Sequence, residues 1–146
     1  MTCAVNFVER RNEPLTKIME FYESQGYEGG AKEDDTIFLA YMNGEIVCVV
    51  RVVIEWNTAV LRGMYVKNEF RGFGIGRDVL TALKPFLEKL DKPCFCISKT
   101  HLVQFYGLVG FQPIERKIAP SFLQERYNLY LSKGFDVVLM NKSNSQ

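Results

Sequence analysis

Apolar residues alternate with polar ones, or form short runs, in segments that predict a β-rich chain. The clearest signal is Asn43-Gly44 between the apolar segments 36–42 and 45–54. Both turn residues tolerate positive φ, which a two-residue type I′ hairpin turn requires. Similar segments predict further strands at 4–8, 58–66, 93–98, 111–114 and 135–140.

Apolar residues at helical spacing predict four helices between these strands. The first predicted helix starts at Pro14 and ends before Gly26. The other three span 76–90, 100–109 and 121–132. Pro85 lies inside the second helix and is expected to kink or split it. Thr100 is expected to cap the third helix, and Ser121 with Gln124 forms a capping box for the fourth. The predicted strands come first as a meander, and helices are interposed later. This order predicts an α+β (mixed α/β) fold with a largely antiparallel sheet.

Composition and charge narrow the class of protein. With 146 residues and 47% hydrophobic residues, we expect one domain over 1–146 whose tail frays from about 141. A net charge of +1 disfavours nucleic acid as the main partner. The longest apolar run, 46–50, is far shorter than the ~20 residues of a membrane span, so no membrane association is expected.

The termini and cysteines predict a cytoplasmic protein without a metal. The N-terminus shows no basic segment followed by an apolar stretch, so no secretory signal is expected. Cys94-x-Cys96 is not the spacing of a zinc-ligand pair, and His101 is the single histidine of the chain. We therefore expect reduced cysteines that pack as small hydrophobic residues.

The segment 65–77 has the composition of an anion-binding turn. Three glycines at alternate positions, Gly72, Gly74 and Gly76, follow a predicted strand, and a helix begins directly after them. Free N–H groups at a helix N-terminus attract phosphate oxygens, and Arg71 and Arg77 add positive charge. No Gly-Lys-Ser/Thr of a P-loop is present, and the spacing differs from the G-x-G-x-x-G of dinucleotide-binding proteins. The remaining pattern is Arg-x-x-Gly-x-Gly.

That pattern resembles the pyrophosphate-binding loop of the GCN5-related N-acetyltransferase (GNAT) superfamily. A second motif, Phe105-Tyr106-Gly107-Leu108-Val109-Gly110-Phe111, is similar to the Phe-Tyr-x-x-x-Gly-Phe of the same family. The resemblance implies a central, mostly antiparallel twisted sheet of about seven strands flanked by about four helices. It also implies acetyl-CoA as cosubstrate, with its pantetheine arm paired to the strand before the loop. The implied cofactor-binding residues are Tyr65, Val66, Arg71, Gly72, Phe73, Gly74, Ile75, Gly76 and Arg77.

The resemblance further implies acetyl transfer to a primary amine of a small molecule or protein by direct attack on the thioester. By family analogy Tyr106 is the acid that protonates the departing thiolate, although its position also suits a core aromatic residue. A backbone N–H near Tyr65 and Val66 would polarise the carbonyl. The general base stays open between Glu55, His101 and water.

The acceptor is not identified by the sequence. It is expected to lie against the first helix with its loop to Asp35, the 55–58 turn and the 119–134 helix. Asp34 and Asp35 could attract a cationic amine, or simply belong to a solvated loop. Several aromatic residues could line an acceptor pocket, pack in the core or form a dimer surface: Phe122, Tyr127, Tyr130 and Phe135.

Two other functions compete with an acetyltransferase. The first is an acyl-CoA-binding regulatory module without productive chemistry, because Ser98-Lys99-Thr100 stands where the family often has an asparagine. The second, a nucleotide-binding domain, is disfavoured by the glycine spacing. A homodimer is compatible with the sequence but not required by it.

Overall fold

A computed structural model describes residues 6–10 and 13–142. Within these residues the chain forms one seven-stranded sheet in the order β1-β2-β3-β4-β5-β7-β6, with four α-helices. The strands are β1 Asn6–Glu9, β2 Thr36–Met42, β3 Glu45–Glu55, β4 Thr58–Val66, β5 Cys94–Lys99, β6 Gln112–Pro113 and β7 Val137–Lys142. The helices are α1 Leu15–Ser24, α2 Ile75–Lys89, α3 Val103–Gly107 and α4 Ser121–Ser132. The mixed, mostly antiparallel fold predicted from the sequence is confirmed.

The hairpin between β2 and β3 forms as the sequence predicts. Asn43 and Gly44 have φ angles of 53° and 77°, the left-handed values of a type I′ turn. The twist of a type I′ turn matches the twist of the two strands, which explains why Asn-Gly predicts the hairpin correctly. The bounds of β4 also agree with the prediction, residue for residue.

Some predicted boundaries and caps are wrong. The third helix is shorter than expected, because 100–102 forms a 3₁₀ turn and Thr100 Oγ1 donates to Asp136 Oδ1 instead of capping. The capping box is absent, since Gln124 Nε2 donates to the Ala119 carbonyl. The last strand continues to 142, where fraying was expected, and residues 4, 5 and 143–146 lie outside the described residues.

The helix α2 continues through Pro85 and is not split. Pro85 removes one hydrogen bond to the carbonyl of Thr81. Both residues are exposed, so water can satisfy that carbonyl. Favourable burial on the opposite side of α2, where Leu83 and Leu87 are almost inaccessible, holds the helix together.

The helices cover both faces of the sheet. Successive strand residues point to opposite faces, so Val60 packs with Leu123 of α4 whereas Leu61 packs with Leu80 of α2. By the same alternation α1 lies on the α4 face and packs with Val49. Three buried thiols fill gaps in the α2 face: Cys48, Cys94 and Cys96.

The sheet divides between β4 and β5. These strands are parallel and pair at only two positions, Ala59 with Cys94 and Val60 with Phe95. Beyond Val60 the edge of β4 that faces β5 therefore has no strand partner. This division creates an opening in the middle of the sheet, at the carboxyl ends of both strands.

Candidate functional site

The turn from β4 into α2 presents a row of unpaired backbone N–H groups. Gly72 and Gly74 adopt φ angles of 86° and 82°, which glycine reaches without steric cost. The first N–H bonded to this turn belongs to Asp78, which donates to the Gly74 carbonyl at 3.0 Å. The six N–H groups of residues 72–77 make no hydrogen bond to any described residue. Free N–H groups at the positive end of a helix dipole are an arrangement that attracts phosphate oxygens.

The two arginines of this turn differ in position. Arg71 folds back so that Nε donates to the Val66 carbonyl at 3.0 Å. The Arg77 side chain is 63% exposed and lies beside Gly74, where a Cβ atom would come 3.2 Å from Nη2. The sequence placed Phe73 and Ile75 in the same site, and the structure makes Phe73 exposed but Ile75 buried.

A cleft of about 420 Å³ occupies the opening between β4 and β5. It reaches the glycine turn, residues 71–77, because Val66 and Arg71 both line it. Tyr65, His101 and Tyr106 also line the cleft, so the two sequence motifs meet across it. The remaining walls come from the same two strands, from α3 and the 3₁₀ turn before it, and from Tyr27 of the α1–β2 loop.

Gly76 lets α2 approach β4 closely at the inner end of the turn. A Cβ atom there would lie 3.2 Å from Met64 Cε and Phe105 Cζ, and 3.3 Å from Val66 Cγ2. These distances are tighter than ordinary packing contacts. The absence of a side chain therefore sets the distance between the helix and the cleft.

Tyr106 is 9% exposed and lines the cleft. Its ring makes edge contacts with Phe105 and Phe111, at centroid distances of 5.1 and 6.3 Å. Its hydroxyl makes no hydrogen bond within the described chain. Burial raises the pKa of Tyr106 well above its ordinary value, so the phenol keeps its proton at neutral pH.

A bulge in β4 is held in place by a buried arginine. Val49 pairs with Tyr65 but Arg51 pairs with Arg62, so two β4 residues lie opposite one β3 residue. The bulge contains Gly63, whose carbonyl accepts a hydrogen bond of 2.7 Å from the Tyr22 hydroxyl. A Cβ atom on Gly63 would lie 2.4 Å from that hydroxyl, and the φ of this residue is 66°. Both the close contact and the left-handed backbone conformation therefore require glycine.

The guanidinium of Arg51 completes this network. Its side chain is 2% exposed and forms a 3.0 Å ion pair with Asp35, also 2% exposed. It donates further hydrogen bonds to the hydroxyls of Tyr22 and Tyr27 at 3.2 and 2.9 Å, and to the Gly30 carbonyl at 3.0 Å. The loop after α1 is therefore fixed to the sheet beside the cleft.

Glu55 is not placed as a general base. Both of its carboxylate oxygens bind Arg126, at 2.6 and 3.1 Å, and it does not line the cleft. Burial favours a higher pKa, but the hydrogen bonds and charge of Arg126, with Arg62 nearby, lower the pKa of Glu55 below its usual value. This direction contradicts the raised pKa that a base at Glu55 requires. His101, the other candidate side chain, lies at the mouth of the cleft.

A larger cavity of about 900 Å³ lies outside the cleft, between α1 and the β2–β3 turn. Carboxylates outnumber cations in its lining, which repels a polyphosphate. The acidic lining residues are Glu13, Glu20, Glu45 and Glu69, against Lys17, Lys67 and Arg71. The smaller cleft is therefore the candidate site.

Comparison with known proteins agrees with this geometry. A family model described as "Acetyltransferase (GNAT) domain" matches residues 9–121. The chain belongs to the GNAT acetyltransferase family. No curated protein matches this sequence at a significant level.

Solved structures show the same fold at low sequence identity. A GNAT-family acetyltransferase from Streptococcus pneumoniae superimposes with a TM-score of 0.71 at 15% identity, covering 97% of this chain and 100% of that chain. N-acetylglutamate synthase from Neisseria gonorrhoeae, complexed with coenzyme A and N-acetyl-glutamate, gives 0.69 at 12% identity, covering 100% of this chain and 36% of that one. Naa50 from Arabidopsis thaliana, bound to the bisubstrate analogue CoA-Ac-MVNAL, gives 0.62 at 16% identity, with 95% and 98% covered.

This GNAT domain brings most of the predicted cofactor residues to one end of the cleft. Tyr65, Val66 and Arg71 line it, and the glycine turn follows directly. Asp35 was expected either to attract a cationic acceptor or to be solvated, and the structure contradicts both, because it is buried against Arg51. Among the described residues no helix is long and apolar enough to cross a membrane, and no group of three acidic, His or Cys side chains could hold a metal.

Several residues beside the cleft were missed by sequence reasoning. Tyr27, Arg62 and Arg126 converge there from the α1–β2 loop, β4 and α4. Arg51 did carry a signal, since the one charged residue within the apolar segment 46–54 predicts a buried partner. Arg62 and Arg126 carried no such sequence signal, because arginine in a strand or helix is ordinarily a surface residue.

Proposed function

We propose that the protein is an acetyl-CoA-dependent N-acetyltransferase acting on a primary amine. The observation that carries the proposal is the run of six unpaired N–H groups, residues 72–77, where α2 begins. This run lies at one end of a cleft that contains a protonated tyrosine at neutral pH. A phosphate site joined to a narrow cleft with an acid suits a cosubstrate that carries a pyrophosphate and a long, thin arm.

The residues present fit coenzyme A. The turn residues 72–77 and the arginines Arg71 and Arg77 would hold the phosphates. The β4 edge beyond Val60, which has no strand partner, offers backbone groups to the amides of the arm. When bound, acetyl-CoA supplies the acetyl group as a thioester, whose C–S bond breaks as the amine forms its new C–N bond.

Tyr106 supplies a proton to the sulfur side of the reaction. Its hydroxyl makes no hydrogen bond within the described chain, so its proton is available. Its raised pKa ensures that the phenol is protonated before turnover. The proton lost by the amine leaves through water or His101, which lies at the cleft mouth. The single-domain organisation, the cytoplasmic location and an acceptor that is a small molecule or a protein stay predictions.

Thermal unfolding with ligands tests cosubstrate binding. At 100 times its Kd, acetyl-CoA should add about 2.7 kcal/mol, which raises Tm by roughly 5–10 °C for a chain of this size. CoA should act similarly, whereas NAD and ATP at the same excess should stabilise much less. If neither acetyl-CoA nor CoA shifts Tm, the assignment of residues 71–77 is wrong.

Tyr106→Phe tests the chemistry separately. We expect kcat to fall about 100-fold or more while the acetyl-CoA-induced Tm shift is kept. Tyr127→Phe is the matched control, because Tyr127 of α4 is partly buried against the core and does not line the cleft. Binding of acetyl-CoA without CoA release for any amine would favour the acyl-CoA-binding module instead.

A further inference from the structure

A small cavity of about 150 Å³ opens on the α1 and α4 face of the sheet. Five residues that line it also line the cleft, so the two spaces are continuous: Tyr27, Leu61, Arg62, Gly63 and Ile97. The cavity is completed by Val60 of β4 and by Arg126 and Tyr130 of α4. It reaches the centre of the cleft from the side opposite to α2, and therefore opposite to the glycine turn that precedes α2.

The charges that line this cavity are positive. Arg62 and Arg126 contribute their guanidinium groups, and no carboxylate is among the lining residues. Glu55 lies behind them and binds both Nη atoms of Arg126, whereas its one contact with Arg62 is 3.5 Å long. Two arginines thus share one carboxylate, and one positive charge is left without a counterion.

The free donors belong to Arg62. Its Nε and Nη2 make no hydrogen bond within the described chain, although the side chain is only 29% exposed. The Tyr27 hydroxyl accepts a hydrogen bond from Arg51, so its own proton is free to donate. A half-buried guanidinium with free donors beside a free hydroxyl is an arrangement that binds carboxylates.

We propose that the acceptor is a small amine that carries a carboxylate, of the amino-acid class, and that Arg62 binds this carboxylate. The inference rests on the proposed function, because it assigns the acceptor of that reaction. The cavity volume of about 150 Å³ suits a carboxylate with a few carbon atoms. A polyamine is disfavoured, because the positive lining repels it and Asp35 is neutralised by Arg51.

Paired acceptors test the assignment through CoA release. Each amino acid is compared with the amine that lacks only its carboxylate, such as lysine with cadaverine and phenylalanine with phenethylamine. We expect kcat/KM to be at least about tenfold higher for the amino acid of a pair. In Arg62→Gln that ratio should fall about tenfold or more, towards one, mainly through KM for the amino acid, whereas Arg116→Gln, an exposed arginine, should leave the ratio unchanged.

A binding measurement on the unaltered protein covers the case in which Arg62→Gln does not fold. With CoA present, N-acetylated amino acids should raise Tm, and the corresponding N-acetylated amines should not. Equal or faster acetylation of the amines, with no such Tm difference, would overturn the carboxylate subsite while leaving the acetyltransferase proposal intact. No CoA release with any amine, together with no Tm shift from acetyl-CoA, would overturn both.

Discussion

Removing the Asp35 carboxylate should strongly destabilise the protein. In Asp35→Ala the Arg51 guanidinium stays buried, at 2% exposure, with only neutral acceptors around it. Breaking a buried ion pair by deleting one partner costs about 3–5 kcal/mol. That is a large part of the roughly 5–15 kcal/mol by which a domain of this kind is stable. The backbone N–H of Lys32 also loses its 2.9 Å acceptor.

Urea unfolding measures this loss. With an m-value of about 2 kcal/mol per molar urea, the midpoint should fall by roughly 1.5–2.5 M. The matched control is Asp34→Ala, which removes an exposed carboxylate one residue earlier and should change stability by no more than about 0.5 kcal/mol. If both variants unfold within about 1 kcal/mol of the unaltered protein, the ion pair does not hold this loop and the reasoning is wrong.

Three further outcomes are expected. Because the pKa of Glu55 is lowered from 4.5 on folding, its ionised form stabilises the protein above that pH. The stability gap between the unaltered protein and Glu55→Gln should therefore shrink as pH falls below about 4.5 in urea titrations, and a gap constant from pH 7 to 3 would contradict this. Gly44→Ala should cost about 1–2 kcal/mol, because φ is 77° there, whereas Gly30→Ala, with ordinary φ and open space, should cost much less; equal costs would refute the turn strain. In Cys3→Ser, the three buried thiols should react with a thiol reagent only as fast as the protein unfolds. Burial raises the pKa of all three, to about 12 for Cys48 and Cys94. Rapid labelling of the folded protein would disprove their burial.

The sequence predicted the fold well where local rules decide it. Asn43-Gly44 fixed a hairpin because few residues adopt positive φ at both turn positions. The caps at Thr100 and Ser121 were wrong because the Thr100 and Gln124 side chains bind other groups, Asp136 and the Ala119 carbonyl. Thr100 binds Asp136, 36 residues away in the chain, and no local pattern reports such a contact.

The site was predictable only in part. The glycine turn is a continuous segment, so its glycine spacing and two arginines could be recognised in the sequence, and its role in binding phosphate stays a prediction. The small cavity beside the cleft is assembled from distant segments, among them the α1–β2 loop, β4 and α4, whose meeting depends on the sheet order. Arg62 also points into its cavity because of strand alternation and the adjacent bulge, and an insertion in a strand leaves no composition signal beyond one glycine, Gly63.

The division between β4 and β5 has a consequence for backbone amide exchange with solvent. Residues in the middle of a sheet ordinarily exchange slowly, because each N–H is bonded to a neighbouring strand. Beyond Val60, amides on the β5-facing edge of β4 lack that neighbour, although they lie near the centre of the molecule. A row of fast-exchanging sites should therefore run through otherwise protected structure, and the sites that slow when a ligand enters would trace its path residue by residue.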